Sequence, residues 1–277
     1  MAAGRRGAER EDRWTVPMLE ARAGGSAERF AGWIGTKHPV AVFFAALLSG
    51  FAVLAGLSLL LGLFVTDVLL HVGGVGHADE SVVTSIVADR TPFLTDVSEV
   101  GSTVGGAPVL PILVGLIALV CAVLRKWRIA AFAVFVLIVE SATYRVTSLV
   151  VPRHRPTVHR LEDLPVNASY PSGHTAASIA VYAGLVFLLA SGVGSRGVRI
   201  AAWAVAIVVP IFVASSRMYR GMHHPLDVAG GLVIGVGAMM VLLFACRAAS
   251  AAERSPARER RTGPRQVPSR RRVPTAS

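Results

Sequence analysis

The feature that most constrains this chain is a series of apolar runs, each close to the length that crosses a membrane. They cover residues 39–70, 106–124, 129–151, 173–192, 199–216 and 225–246. A helix needs about 20 apolar residues to cross the hydrocarbon layer. The chain is 53% hydrophobic and 16% charged, which excludes an ordinary soluble domain. The sequence therefore predicts an all-α, polytopic membrane protein with six transmembrane helices.

The polar ends of the chain flank this apolar region. Residues 1–37 mix Arg, Glu, Gly and Ser without a sustained period and are predicted to be a disordered cytoplasmic tail. Residues 38–246 form the six-span domain, and residues 247–277 form a basic, disordered cytoplasmic tail. The first apolar run is too long for a signal peptide and lacks a small-residue cleavage site, so we expect it to remain as a span.

The segment 78–104, between spans one and two, has a different pattern. Its apolar residues, such as Val82 and Val83, alternate with Asp79, Glu80 and Asp89 at helical spacing. We therefore predict a helical segment on the membrane surface. It is either a linker packed on the bundle or a lid over a lipid entrance.

The distribution of basic residues predicts the orientation. With the amino end in the cytoplasm, 21 Lys and Arg residues lie inside and seven lie outside. This asymmetry follows the positive-inside rule and places both termini in the cytoplasm of a multi-pass protein in the cytoplasmic (plasma) membrane. Most of the net charge of +11 is explained by topology and by attraction to anionic membrane lipids. Nucleic-acid binding is not expected.

Three polar stretches fall at the outer ends of spans three, four and five. They are SLVVPRHRP (148–156), YPSGHT (170–175) and SSRMYRGMHHPLD (215–227). Loops that converge over a bundle can build one site from distant segments. Because these loops carry cations and histidines, the site they form suits an anion such as phosphate.

All three stretches contain residues suited to binding phosphate. Arg155 and Arg217 offer planar forks of donors that match phosphate oxygens. Ser172 is placed to cap the helix that follows, and the amides of Gly173 and His174 then point out of its positive end. Gly173 lets the backbone come close to a ligand.

The third stretch pairs a histidine with a carboxylate, His223 with Asp227. A carboxylate that accepts one ring N–H leaves the other ring nitrogen with a lone pair, which makes it a nucleophile. His174 can then protonate a leaving oxygen. No cluster has metal-ligand spacing, so we expect no metal and no cofactor.

These residues resemble the motifs of the type 2 phosphatidic acid phosphatase superfamily, which includes membrane lipid phosphatases and vanadium haloperoxidases. The second motif, Pro-Ser-Gly-His, is present at 171–174, and the third is present as Ser216, Arg217, His223 and Asp227. The resemblance covers about residues 39–246. It implies phosphate binding by Ser172, Gly173 and Arg217, nucleophilic attack by His223 and acid catalysis by His174.

The first motif departs from the family pattern. The resemblance places Arg155 and Pro156 correctly, but Ser148 stands where the family has Lys. Arg145, on the same face of span three, or Arg153 is a candidate replacement. The alternatives are a site with two arginines or a degenerate site that binds without turnover.

Together the motifs predict a lipid phosphatase with its site on the outer face, acting through a phosphohistidine without metal. The substrate is left open among phosphatidate, phosphatidylglycerophosphate and a polyprenyl diphosphate such as undecaprenyl diphosphate. A phosphotransferase and a non-catalytic lipid-phosphate binder or transporter are the alternatives. Glu140, an ionisable residue inside span three, is interpreted as a structural hydrogen-bonding group or as the partner of a nearby arginine. The oligomeric state is left open.

Overall fold

The computed structural model describes residues 16–35, 38–190 and 192–262, with side chains as far as Arg254. The regular secondary structure of these residues is helical, and the only β-type pairing among them is an isolated bridge between Arg153 and Ala168. The helices are α1 (Ser26–Ile34), α2 (Pro39–Leu63), α3 (Val75–Ala88), α4 (Pro92–Val104), α5 (Val109–Val123), α6 (Trp127–Val150), α7 (Gly173–Ala190), α8 (Arg196–Tyr219) and α9 (Pro225–Thr262). The prediction of an all-α fold is confirmed for this part of the chain.

The number of membrane spans is five or six within the described residues. Five helical segments are long and apolar enough to cross a membrane: Pro39–His71, Trp127–Val150, Gly173–Ala190, Arg196–Tyr219 and Pro225–Arg254. The sixth exists if α4 and α5, which are bent by 43° at their junction, form one broken span. Alone, the 15 residues of α5 rise only about 22 Å, less than the ~30 Å hydrocarbon layer. The predicted span 106–124 is therefore incomplete by itself.

The predicted surface segment forms two helices, and α4 packs closely on the bundle. Ser98, Gly101 and Ser102 are buried against α8. A Cβ on Gly101 would lie 2.1 Å from Ser216 Oγ, so only glycine allows the two helices to approach this closely. The prediction that the whole segment 78–104 lies on the membrane surface is therefore wrong for α4. This helix contributes polar residues to the interior of the bundle.

The core lies mainly between α2 and α9, which make the most extensive helix contact in the molecule. Small side chains such as Ala46, Ala238 and Ala245 are fully buried there. Small residues let helix backbones approach, which is how helices associate where lipid removes the hydrophobic driving force. Phe132 on α6 is also fully buried in this core.

Parts of both predicted tails are ordered, which corrects the expectation of disorder. Helix α1 packs on α9, where Phe30 contacts Phe244 with ring centroids 5.4 Å apart. Helix α9 continues to Thr262, and Ala248 and Ala252 are buried beneath the amino-terminal segment. Alanine-rich sequence favours helix, and apolar burial against a neighbouring segment stabilises it. Residues 1–15, 36–37 and 263–277, also assigned to the tails, lie outside the described residues.

Candidate active site

A cavity of about 280 Å³ opens between α5, α6, α7 and the loops that precede α7 and α9. Arg155, His174, Arg217 and His223 line its polar part together with Gly173. The structure therefore brings together residues from all three polar stretches of the sequence. We call the end of the bundle that holds this cavity the site end. Helices α6 and α8 finish there, and α7 and α9 begin there.

His223 has one ring nitrogen fixed by the backbone. Its Nδ1 lies 2.8 Å from the carbonyl oxygen of Ser169. A carbonyl only accepts hydrogen bonds, so Nδ1 carries the proton and Nε2 keeps its lone pair. Burial lowers the pKa of His223 to about 4, although the nearby carboxylate of Asp227 acts in the opposite direction. The ring is therefore neutral at neutral pH, as a nucleophile must be.

Asp227 acts differently from the sequence prediction. Its Oδ2 is 3.7 Å from His223 Nδ1, too far for a good hydrogen bond. That oxygen accepts instead from Ser169 Oγ at 2.5 Å and from the backbone N–H of His224 at 2.8 Å. Asp227 thus orients His223 through Ser169, the residue whose carbonyl holds the ring. No spacing rule in the sequence identified Ser169.

Arg217 is fully buried and only half of its guanidinium is engaged. Its Nη1 donates to both carboxylate oxygens of Glu162, at 2.7 and 2.8 Å, and to Ser102 Oγ. Its Nε and Nη2 have no partner and are the only buried side-chain nitrogen or oxygen atoms without one in the described part of the chain. These two N–H groups form one edge of the guanidinium, which matches two oxygens of a phosphate.

Glu162 holds the other edge of Arg217 in place. Burial raises the pKa of Glu162, but the charge and hydrogen bond of Arg217 outweigh that effect and lower the pKa to about 2. Arg220 Nε also donates to Glu162, at 2.6 Å. Glu162 was missed in the sequence because a single acidic residue in a loop has no motif. The ionised carboxylate fixes which face of Arg217 remains available.

Arg155 lies at the cavity but is held by the backbone. Its Nε, Nη1 and Nη2 donate to the carbonyl oxygens of Pro165, Met222 and Ala168, at 2.9, 2.5 and 2.9 Å. Burial, and next the charge of Arg217, lower its pKa, yet guanidinium groups remain charged in proteins. Arg155 therefore joins two loops and supplies positive charge to the cavity, with two N–H hydrogens left over.

The amino end of α7 forms another part of the cavity wall. Ser172 is its N-cap residue, but the predicted side-chain cap is wrong, since the Ser172 hydroxyl pairs with Thr175 Oγ1 at 2.9 Å. A Cβ on Gly173 would lie 3.1 Å from the ring of Tyr144, so a larger residue here would force the ring to shift. His174 is half-buried, and a Cβ on Gly106 would lie 2.6 Å from its Nε2.

The two candidates for the missing cation occupy other positions. Arg153 is buried and forms ion pairs with Asp79 and Asp227, so it neutralises Asp227 rather than facing the cavity. Arg145 is exposed and does not line the cavity, while Ser148 donates to the Arg145 carbonyl oxygen. The structure therefore shows two arginines, Arg155 and Arg217, at the cavity.

Helix α3 contributes two carboxylates beneath the site. Besides pairing with Arg153, Asp79 accepts from the backbone N–H of Leu226 at 3.0 Å, at the start of α9. Glu80 lies 2.8 Å from His224 Nε2. Burial lowers the pKa of His224, but the hydrogen bonds and charge of Asp227 and the bond to Glu80 raise it overall. Sequence reasoning placed these acids on a surface helix and could not connect them to residues about 75 and 145 positions away.

Comparison with known proteins agrees with this geometry. The family model described as the PAP2 superfamily matches residues 129–250, the region that holds all the cavity-lining histidines and arginines. This match agrees with the family resemblance that the motifs predicted. Phosphatidylglycerophosphatase B of Bacillus subtilis (strain 168) is 26% identical over 181 residues, covering 65% of this chain and 88% of that protein.

Two further relatives extend the comparison. The undecaprenyl-diphosphatase of Sulfolobus acidocaldarius is 30% identical over 107 residues, covering 39% of this chain and 48% of that protein. The crystal structure of a transmembrane PAP2-type phosphatidylglycerolphosphate phosphatase from Bacillus subtilis matches with a TM-score of 0.58 at 24% identity. It covers 75% of this chain and 94% of that one, which shows that the fold is shared.

Proposed function

We propose that this chain is a PAP2-superfamily enzyme that hydrolyses lipid phosphates through a phosphohistidine on His223. The observation that carries the proposal is the unpaired, buried edge of Arg217, formed by Nε and Nη2, in the same cavity as a neutral His223. Buried donors without partners are costly, and a phosphate dianion supplies two acceptors at once. The names of the relatives, all lipid phosphatases, support the same reaction.

The reaction follows from the placement of the groups. His223 Nε2 attacks phosphorus, the P–O bond to the lipid breaks, and His174 gives its proton to the leaving oxygen. Arg217, Arg155 and the amide groups at the start of α7 stabilise charge on the phosphoryl oxygens. Water then attacks the phosphohistidine while His174 removes its proton, and inorganic phosphate and neutral His223 are released.

The position of the site fits a substrate anchored in a membrane. The cavity is polar at the site end and is lined by Leu110, Leu137 and Ala177 farther along the bundle. The phosphate can therefore meet the histidines while the lipid tail stays in the apolar part. The 21 basic residues expected at one side and seven at the other support, by the positive-inside rule, a site on the outer face of the cytoplasmic membrane.

Rapid-quench assays of the purified protein in detergent test this function directly. With phosphatidate, phosphatidylglycerophosphate or undecaprenyl diphosphate labelled with ³²P at the terminal phosphate, we expect phosphate release to water and an acid-labile, protein-bound label. We also expect activity to persist with a chelator, because the cavity residues supply nucleophile, acid and charge stabilisation. His223→Ala should lose about 10⁴-fold or more in rate and all of the bound label.

Four outcomes would contradict the proposal. Near-normal turnover by His223→Ala would remove the phosphohistidine. Loss of activity with chelator and its return with a divalent cation would remove the metal-free reaction. Transfer of phosphate to an alcohol acceptor without release to water would show a phosphotransferase, and lipid binding without turnover would show a non-catalytic binder.

A further inference from the structure

Glu140 is a buried acid that the proposed reaction does not use. It lies in the middle of α6, is 1% exposed to solvent and lines the same cavity as His174 and Arg217. Its only side-chain hydrogen bond among the described residues is from its neighbour, Ser141 Oγ, to Oε2 at 3.0 Å. No Arg or Lys in the described part of the chain forms an ion pair with it. An ionisable group in a membrane helix is costly, and it usually faces a functional cavity.

Helix α6 arranges the cavity wall in three levels. Leu137, Glu140 with Ser141, and Tyr144 lie on one face at successive turns, with about 5 Å between turns. The Tyr144 ring lies beside Gly173, where an added Cβ would be 3.1 Å from it, so it marks the level of the phosphate. Glu140 and Ser141 lie one turn farther from the site end, and Leu137 lies one turn beyond them.

The substrate's leaving group must extend along these levels. Its first atoms pass His174, and its next atoms meet Glu140 and Ser141. The wall beyond is apolar, formed by Leu110, Leu137 and Ala177. The second level thus offers a carboxyl and a hydroxyl but no cation, so a second phosphate buried there would lack a counter-charge. A hydroxyl group, by contrast, can donate to the Glu140 carboxyl.

We infer that Glu140 is a specificity-determining residue that binds a free hydroxyl next to the phosphate-bearing carbon of the lipid. The substrate class is then a lipid monophosphate with such a hydroxyl and an apolar chain directly beyond it. Diphosphates and fully acylated glycerol phosphates are disfavoured. This inference rests on the proposed phosphatase function and deepens it.

Two substrates that differ at this hydroxyl measure its effect on turnover. A 1-acylglycerol 3-phosphate carries a free hydroxyl at the second glycerol carbon, and phosphatidate has that hydroxyl acylated. We expect the unmodified protein to favour the first by about 10-fold in kcat/KM, the effect of one net hydrogen bond of about 1.4 kcal/mol. Undecaprenyl diphosphate should be the poorest of the three.

Variants of α6 then assign the preference to Glu140. Glu140→Leu should reduce the 1-acylglycerol phosphate to phosphatidate ratio to near one, and Glu140→Gln, which keeps an acceptor, should retain part of it. Ile138→Ala provides the control, because Ile138 is 50% exposed on the lipid-facing side of the same helix and should leave the ratio unchanged. Using ratios cancels differences in folded protein and in detergent partitioning.

The possible results separate this inference from the proposed function. Turnover with an unchanged ratio in Glu140→Leu overturns the inference and leaves the phosphatase. A diphosphate preference in the unmodified protein also overturns it. If the unmodified protein turns over none of the three lipids, the proposed function fails and the inference fails with it.

Discussion

The two ends of the helical bundle both contain arginine–carboxylate clusters, but the clusters differ in burial and in completeness. At the end opposite the site, Glu20 pairs with Arg128 and Arg254, whose side chains are 36% and 55% exposed. At the site end, Arg217 is fully buried and leaves two N–H groups unpaired beside a cavity. Exposed, fully paired clusters hold chain segments together. A buried cation with free donors is costly for folding, which supports the proposal that a phosphate binds there.

Replacing one arginine at each end of the bundle should give the largest difference in kcat between the two clusters. Arg217→Ala removes the donors for the phosphoryl oxygens, so we expect kcat to fall by about 10²–10³-fold, as for other charge-stabilising donors. Arg128→Ala, the matched change at the opposite end, should alter kcat less than about twofold. Phosphate-release assays on both variants decide the matter, and equal losses would show that burial and pairing do not distinguish the two clusters.

A change in α3 tests how far the site depends on its buried ion pairs. Asp79→Asn keeps the shape of the side chain but leaves Arg153 with only Asp227 as a counter-charge. Removing one partner of a buried pair costs on the order of 3–5 kcal/mol. We expect a loss of that size in the free energy of unfolding in mild detergent. An unfolding free energy equal to that of the unmodified protein would show that α3 is only a linker on the bundle.

Acid sensitivity provides a finer test of the site end. The pKa of Glu162 is about 2 in the folded protein, against an ordinary value of 4.5. Its ionised form therefore stabilises the fold fully above pH 4.5, and this contribution is lost as the pH falls towards 2. We expect Glu162→Gln to be less stable than the unmodified protein at pH 7 and nearly equal to it at pH 2. A constant difference in thermal unfolding across this range would contradict the ion pair with Arg217.

The smallest effect is expected at Glu20. Burial raises its pKa, but the hydrogen bond from Ser250 and the nearby arginines lower it overall. Because these pairs are partly exposed, Glu20→Gln should cost about 1 kcal/mol or less in unfolding free energy and leave turnover unchanged. A large loss of activity would mean that the opposite end also controls the site.

The apolar helices were predicted well because the features that indicate them lie within the helices themselves. Proline begins α2 and α9, and largely apolar runs define α6, α7 and α8 to within a few residues. The broken α4–α5 pair was predicted less well, because apolar composition does not reveal a 43° bend. The helical tails were missed because their stability comes from packing against each other, as with Leu19 beneath α9.

The site was predictable only where residues fall in motifs. His174, Arg217 and His223 came from the motifs, and the structure places them at one cavity. Glu162 and Ser169 were not predictable, since each acts through a partner more than 50 residues away. Arg153 was considered as a phosphate ligand, but it forms ion pairs with two carboxylates. Only the tertiary structure shows that pairing.

The two carboxylates on α3 also limit how the protein can be recombined with its relatives. Residues 75–88 connect two spans and are short enough to be exchanged as a cassette. Yet Asp79 and Glu80 contact Arg153, His224 and Leu226, which lie in two separate later segments. A chimaera that replaces this cassette alone leaves a buried guanidinium without one of its partners. Helix α3, the segment with Arg153 and the segment with His224 and Leu226 must therefore be exchanged together.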